Sequence, residues 1–327
     1  MSKRRFSQVF NFAMEFIEPV NLEPVFAAEE VHTIMDSCLL NLADCGQDRI
    51  CIARDGIMTD ETFDVISVFD GHGLPKTKQC HFIDCLDAAS EADRTRIWAS
   101  SNPMESWIDY FNTTTYDHGT GAVCAIARIF QNRIETFTVG DASVLIFIDD
   151  TLKYINQDHN AENKDEVDRL KETLGPGKFT IERAGRLEVF GPNDIRQVDA
   201  TCTVFYTGVH TCTSLAITQS LGHNNITGYN MEKNIIYYEP HQKVHVIVCS
   251  DGVMDMVCAG SDNKTAVEAD LALLSRSSAS EIAHWAKERW RQEWITHVPG
   301  YSGTGKQKFP ENKLGQDDVS AATWTKK

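Results

Sequence analysis

The stretch Phe63–Gly73, FDVISVFDGHG, carries an apolar run into a turn that cannot extend it. Phe63, Val65, Ile66, Val68 and Phe69 leave neither face polar, the pattern of a short strand buried in a sheet or between layers. Gly71 and Gly73 permit a tight turn and a close approach of backbone to a ligand. Asp70 and His72 are therefore placed at a strand end facing a cleft. A carboxylate beside an accessible carbonyl suits a hard divalent cation. For these four residues alone, an Asp-Gly turn between a core strand and a surface segment is the plainer alternative.

The same arrangement recurs further along the chain. Val244, Val246 and Val248 alternate in a strand expected over Lys243–Ser250, which ends in Asp251 and Gly252, with Asp255 four residues on. A third strand, expected over Val319–Trp324, follows Asp317 and Asp318. Three acidic groups, each beside a core strand, are able to converge on one pocket. Asp48 lies one strand upstream of Asp70, where it would act as a supporting carboxylate.

The chain has 327 residues and a formal charge of −16. The length is enough for a substantial core. The charge argues against a duplex nucleic-acid binder, which needs positive surface against phosphate, and against an anionic membrane surface. No stretch is long enough to cross a bilayer, and no apolar leader with a cleavage signature precedes the domain. Ten cysteines without a CxxC pair imply reduced thiols and an intracellular protein, cytoplasmic or nuclear.

Residues 1–22 are expected to form an N-terminal extension and 23–327 one α+β domain with loop insertions. Spacings near three and four predict a core-facing helix over Glu23–Leu42, then a strand over Arg49–Arg54. Helices are expected at Thr77–Leu86, Met104–Phe111, Lys164–Thr173 and Ala279–Trp294. From Gly121 to Ile148 the pattern is antiparallel β. Tyr301–Gln316 reads as a loop, and its GxG is too weak to mark a phosphate-binding turn. That loop and the polar Gln157–Val198 excursion are where substrate selection is expected.

Read together, the turns are specific. VFDGHG at Val68–Gly73, GTG at Gly119–Gly121, VGDAS at Val139–Ser143, QDH at Gln157–His159, SLAITQSLGH at Ser214–His223, CSDGVMD at Cys249–Asp255 and QDDVS at Gln316–Ser320 occur in order. In this the chain resembles the PP2C-like family of metal-dependent serine/threonine protein phosphatases. The resemblance implies a β-sandwich of two antiparallel sheets flanked by helices, with two Mn²⁺ or Mg²⁺ ions at one end. By residue, it makes Asp70 the bridging carboxylate, Gly71 a carbonyl ligand, and Asp251 and Asp317 further metal ligands. Asp141 matches the carboxylate of a third, weaker metal, and His72 the proposed general acid. The function implied is hydrolysis of phosphoserine and phosphothreonine in proteins by hydroxide held at the metals.

The departures from the family pattern are local. Ala43 stands where the family has its phosphate-binding arginine, Gln47 where it has an acid, and Asp318 where it has an asparagine. Gln219 and His223 replace the arginine and aspartate of the TRxxGD motif. Without a guanidinium fork the site lacks a bidentate phosphate clamp, unless Arg49 or Arg54 reaches inward. Two functions stay open: a phosphatase of weakened or specialised activity acting on a phosphoprotein, and a PP2C-like pseudophosphatase that binds a protein partner as a scaffold.

Overall fold

The computed structural model describes residues 32–42, 46–72, 80–114, 120–161, 163–175, 177–183, 187–191, 194–198, 202–206, 214–223, 227, 230–258, 264–297, 304–308 and 316–327. The extension expected over 1–22 lies outside them, as do Ala43 and Gly73. Strands β1 (Thr33–Leu40), β2 (Asp48–Met58) and β3 (Glu61–His72) lead into helices α1 (His81–Ala88), α2 (Glu91–Trp98) and α3 (Pro103–Thr114). Next come β4 (Gly121–Ile129), β5 (Arg133–Val139), β6 (Ser143–Ile148), β7 (Thr151–Ile155) and α4 (Lys164–Leu174). Short strands follow: β8 (Phe179–Arg183), β9 (Leu187–Gly191), β10 (Asp194–Val198), β11 (Cys202–Tyr206), β12 (Ser214–Leu215) and β13 (Leu221–Gly222). The chain then runs through β14 (Glu232–Tyr237), β15 (Val244–Cys249), α5 (Asp251–Cys258), α6 (Lys264–Leu274), α7 (Ala279–Arg291), β16 (Glu293–His297), β17 (Thr304–Lys308) and β18 (Val319–Lys326).

Two antiparallel sheets form the body. One has the order β14-β5-β4-β3-β2, with β13 added against β4, and the other β1-β18-β15-β6-β7. Successive side chains point to opposite faces, and both faces of the central strands are apolar because one is covered by the other sheet and one by helices. Along β3, Ile66 and Val68 enter the layer between the sheets, while Phe63, Val65 and Phe69 face α1–α3. Along β15, Val244, Val246 and Val248 point into the same inter-sheet layer, and Ile247 and Cys249 pack with residues of α5–α7. Phe69 anchors the helical layer, its ring 5.9 Å from Trp107 and 6.4 Å from Phe82 and Trp98. The result is helices, sheet, sheet, helices.

The structure corrects three expectations. Thr33–Leu40, expected as part of a helix over Glu23–Leu42, is the edge strand β1, paired along its whole length with β18. Met35 faces the inter-sheet layer while Cys38 and Leu40 face the α5–α7 side. Apolar residues at spacings of three and four satisfy that alternation as well as a helical stripe, and pairing across the sheet decided between them. Second, Tyr301–Gln316 is not all loop, because Thr304–Lys308 forms β17 against β16. Third, the helix expected to reach Trp294 ends at Arg291, after a capping box in which Ser278 and Glu281 close its first turn. The expected strands of β3, β15 and β18 are all present, as are the helices at α1, α3 and α4.

Buried His245, near the start of β15, sets a pH limit on the fold. Its Nδ1 lies 2.8 Å from Thr325 Oγ1, and burial pushes its pKa down to about 4. The unfolded chain takes up this proton near pH 6.5 and the folded chain only near 4. The contribution of neutral His245 is therefore complete above the higher value and lost as pH falls through that window. We expect His245→Gln to remove about 3 kcal/mol of the stability loss between pH 7 and 4, read from urea midpoints at the two pH values. An unchanged pH slope would show that His245 does not control it.

Candidate functional site

The acids gather at one pole of the sandwich, and strand pairing accounts for it. Asp70 continues the inward series of Ile66 and Val68 and pairs in register with Asp48 on β2. The Gly71 N–H donates to the Gln47 carbonyl at 3.2 Å, closing the end of that ladder. Asp251 opens α5 directly after β15, where the helix N-terminus favours a negative group. Asp255 is one turn later on the same helix face. Asp317 and Asp318 precede β18, the neighbour of β15.

Two serines, Ser250 and Ser320, hold these last two turns together. Ser250 N–H donates to the Ser320 carbonyl at 3.1 Å, Ser320 N–H to Ser250 Oγ at 3.1 Å, and Ser250 Oγ–H to the Asp318 carbonyl at 3.3 Å. Gly252 fits between, since a Cβ there would collide with the Asp318 carbonyl, and its own carbonyl accepts Trp290 Nε1–H at 2.8 Å. Gly252→Ala is expected to cost ~1–3 kcal/mol, as overpacking does, and to weaken Mn²⁺ binding by moving Asp317 away from Asp251. Urea titration and calorimetry check the two effects; wild-type values in both would mean the turn yields freely.

Electrostatics report how close the acids lie. Burial holds Asp70 well above the usual carboxylate range, and the charges of Asp48, Asp251, Asp317 and Asp141 raise it further. Asp48 is pushed up to about 7 by burial, with the nearby Ser320 side chain opposing and the charges of Asp318 and Asp251 adding. Asp317 is raised by burial and then by Asp251, Asp48 and Asp255. All seven acids singled out by sequence thus appear in one mutually repelling field. His72, at the end of β3, has its pKa lowered by burial while Asp251 opposes that shift.

The donor types are those a hard divalent cation takes. The site offers oxygen ligands, excess negative charge, and two buried carboxylate atoms, Asp48 Oδ2 and Asp251 Oδ1, without a hydrogen-bond partner. Among the described residues, no group of three or more His, Cys, Asp or Glu side chains closes into a metal-holding arrangement.

The surrounding motifs have structural duties that sequence alone left open. Gly140, with φ of 90°, forms the turn before Asp141. His159 clamps it, donating N–H to the Gly140 carbonyl at 2.9 Å and accepting Gly140 N–H on Nδ1 at 3.0 Å. Gln219 gives Nε2–H to Glu166 Oε1 at 2.7 Å, and the other oxygen of Glu166 accepts Thr218 Oγ1–H at 2.7 Å and Arg169 at 3.1 Å. Arg49 does not reach the acids: its guanidinium is bound to Asp87 at 2.8–2.9 Å and to the Gly46 and Asp48 carbonyls. Arg54 is exposed six residues beyond Asp48 along β2, ~20 Å from the acidic end at the rise of a strand.

A helix-flanked antiparallel sandwich with a carboxylate cluster at one pole defines the fold class of the metal-dependent serine/threonine phosphatase superfamily. A model of the protein phosphatase 2C family matches residues 48–268. The chain belongs to that family. No protein with a curated description matches it. Among solved structures it is similar to a sex-determining protein of C. elegans, at 16% identity and a TM-score of 0.50, over 91% of this chain and 65% of that one. It is also similar to a serine-threonine phosphatase 2C from Toxoplasma gondii, at 11% identity and a TM-score of 0.51, over 92% of this chain and 96% of that one. At such identities the two structures show the fold alone. The chain spans less than two thirds of the length of the C. elegans protein. Among the described residues, no helix is long and apolar enough to cross a membrane.

Proposed function

We propose that the chain hydrolyses phosphoserine and phosphothreonine in proteins with divalent cations bound at the acidic pole. The observation that carries this is the convergence of Asp48, Asp70, Asp251 and Asp317, whose burial and like charge leave an unbalanced negative field at the strand ends. Asp70, the Gly71 carbonyl, Asp251 and Asp317 would hold two Mn²⁺ or Mg²⁺ ions, and Asp141 a third. Asp48 and Asp255 would tune their charge from behind. When bound, such ions activate water and neutralise the phosphoryl oxygens. His72 would hold the proton needed by the departing serine or threonine oxygen, a role worth ~10²–10⁴-fold. Burial works against its protonated form and Asp251 works for it.

A pseudophosphatase scaffold is the second possibility, favoured by one observation: Arg49 and Gln219 are engaged with Asp87 and Glu166. Neither is spare to clamp a phosphate. Phosphate release from phosphoserine and phosphothreonine peptides, without metal and with Mg²⁺ or Mn²⁺, separates the two when measured beside metal binding by calorimetry. Metal-dependent release is the expected result. Folded protein that neither binds metal nor releases phosphate would overturn the phosphatase reading and favour the scaffold.

A further inference from the structure

We propose that His223 is a positioning residue for His72, holding the imidazole of the proposed general acid in one orientation; this rests on the phosphatase function above. His223 follows β13 and is buried, with 1% of its surface exposed. Its backbone φ of 49° is left-handed, a conformation that a non-glycine residue adopts at a cost and that recurs at functional sites. The strands deliver it to His72. β13 pairs with β4 so that Gly222 lies opposite Gly121, and Gly121 lies opposite His72 on β3. His223 N–H donates to the Thr120 carbonyl at 2.8 Å, fixing the turn.

Gly121 leaves the space that the contact needs. A Cβ at that position would collide with the Leu221 carbonyl and with the ring of His223. Through this gap the two imidazoles meet, with centroids 5.8 Å apart and planes at 47°, within the range of packed aromatic pairs. His72 Nδ1 is buried and makes no hydrogen bond. No bond at that nitrogen sets the His72 ring, whereas a proton donor must be held in line with its acceptor. Contact with His223 restricts it instead.

The test has two arms. With selectively labelled histidine, three-bond couplings report the His72 χ1 rotamer in the resting full-length protein. Kinetics compare a phosphothreonine peptide, whose alkoxide needs a proton to leave, with p-nitrophenyl phosphate, whose phenolate does not. His223→Asn keeps a residue that tolerates positive φ; His223→Phe keeps a ring and serves if the first variant fails to fold. We expect one His72 rotamer in the wild type and averaging in His223→Asn. We also expect kcat on the peptide to fall ~10-fold at unchanged KM, as for a misaligned proton donor, with a smaller loss on p-nitrophenyl phosphate. His223→Phe should restore the single rotamer and most of the peptide rate. A single unchanged rotamer in His223→Asn, or equal losses on both substrates, overturns the proposal. If the wild type releases phosphate from neither substrate, the phosphatase function has failed; the couplings then decide alone, averaging supporting the positioning contact and a fixed rotamer overturning it.

Discussion

Asp70→Asn should lower metal-dependent phosphate release by ~10³-fold or more, the scale expected when a group central to the transition state is removed. The same substitution should raise the urea midpoint of the metal-free protein. The two effects have one cause. Burial holds the Asp70 carboxyl well above its ordinary range, and the charges of Asp48, Asp251, Asp317 and Asp141 around it raise it further. Without a cation the folded state bears that repulsion and the unfolded chain does not. A neutral amide of the same shape relieves it, but it gives a divalent ion a much poorer ligand. Saturating Mn²⁺ should therefore stabilise the wild type by mass action far more than it stabilises the variant. A variant that is inactive and also less stable without metal would assign Asp70 to the packing of the strand end instead. A variant that retains turnover would remove it from the proposed centre.

Arg128→Ala should destabilise the fold by about 3 kcal/mol, the lower end of the cost of removing one partner of a buried ion pair, since Glu135 keeps a second cation nearby. Arg128 has a side chain 1% exposed and bonds Glu135 Oε2 through Nη2 at 2.5 Å. Its Nη1 donates to the Trp98 carbonyl at 2.9 Å and the Ser100 carbonyl at 2.6 Å, joining β4 to the end of α2. Its guanidinium also lies 5.3 Å from the Phe137 ring and 5.6 Å from those of Phe63 and Phe130. Removal leaves Glu135 buried with Arg133 at 3.3 Å as its ion-pair partner. Replacing both partners, as Arg128→Met with Glu135→Leu, should cost less than the single change, because no charge is then stranded. Urea midpoints at constant slope measure both. A double variant no more stable than Arg128→Ala would mean that the carbonyl contacts to α2, rather than the ion pair, hold this corner.

The gathering of the acids was legible in sequence because each of them sits beside an apolar strand. Asp70, Asp251 and Asp317 border β3, β15 and β18, and two-sided burial of those strands is written in their valines, isoleucines and phenylalanines. The strand β1 was not legible, since Ile34, Met35, Cys38 and Leu39 satisfy a helical spacing as readily as an alternating one. Its partner, β18, lies almost 300 residues away, with Met35 opposite Trp324. Local pattern holds no record of that pairing.

Sequence alone determined which segments must be buried on both faces, and which acids stand at their ends, because burial preference and chain-breaking turns are properties of near neighbours. Tertiary structure alone decided that Arg49 faces Asp87, that Arg128 finds Glu135, and that Ser250 and Ser320 tie the Asp251 and Asp317 turns together. It alone brought His223 against His72 through the gap at Gly121. Those choices depend on strand register and on which face a side chain takes, and a slip of one residue would reverse every one of them.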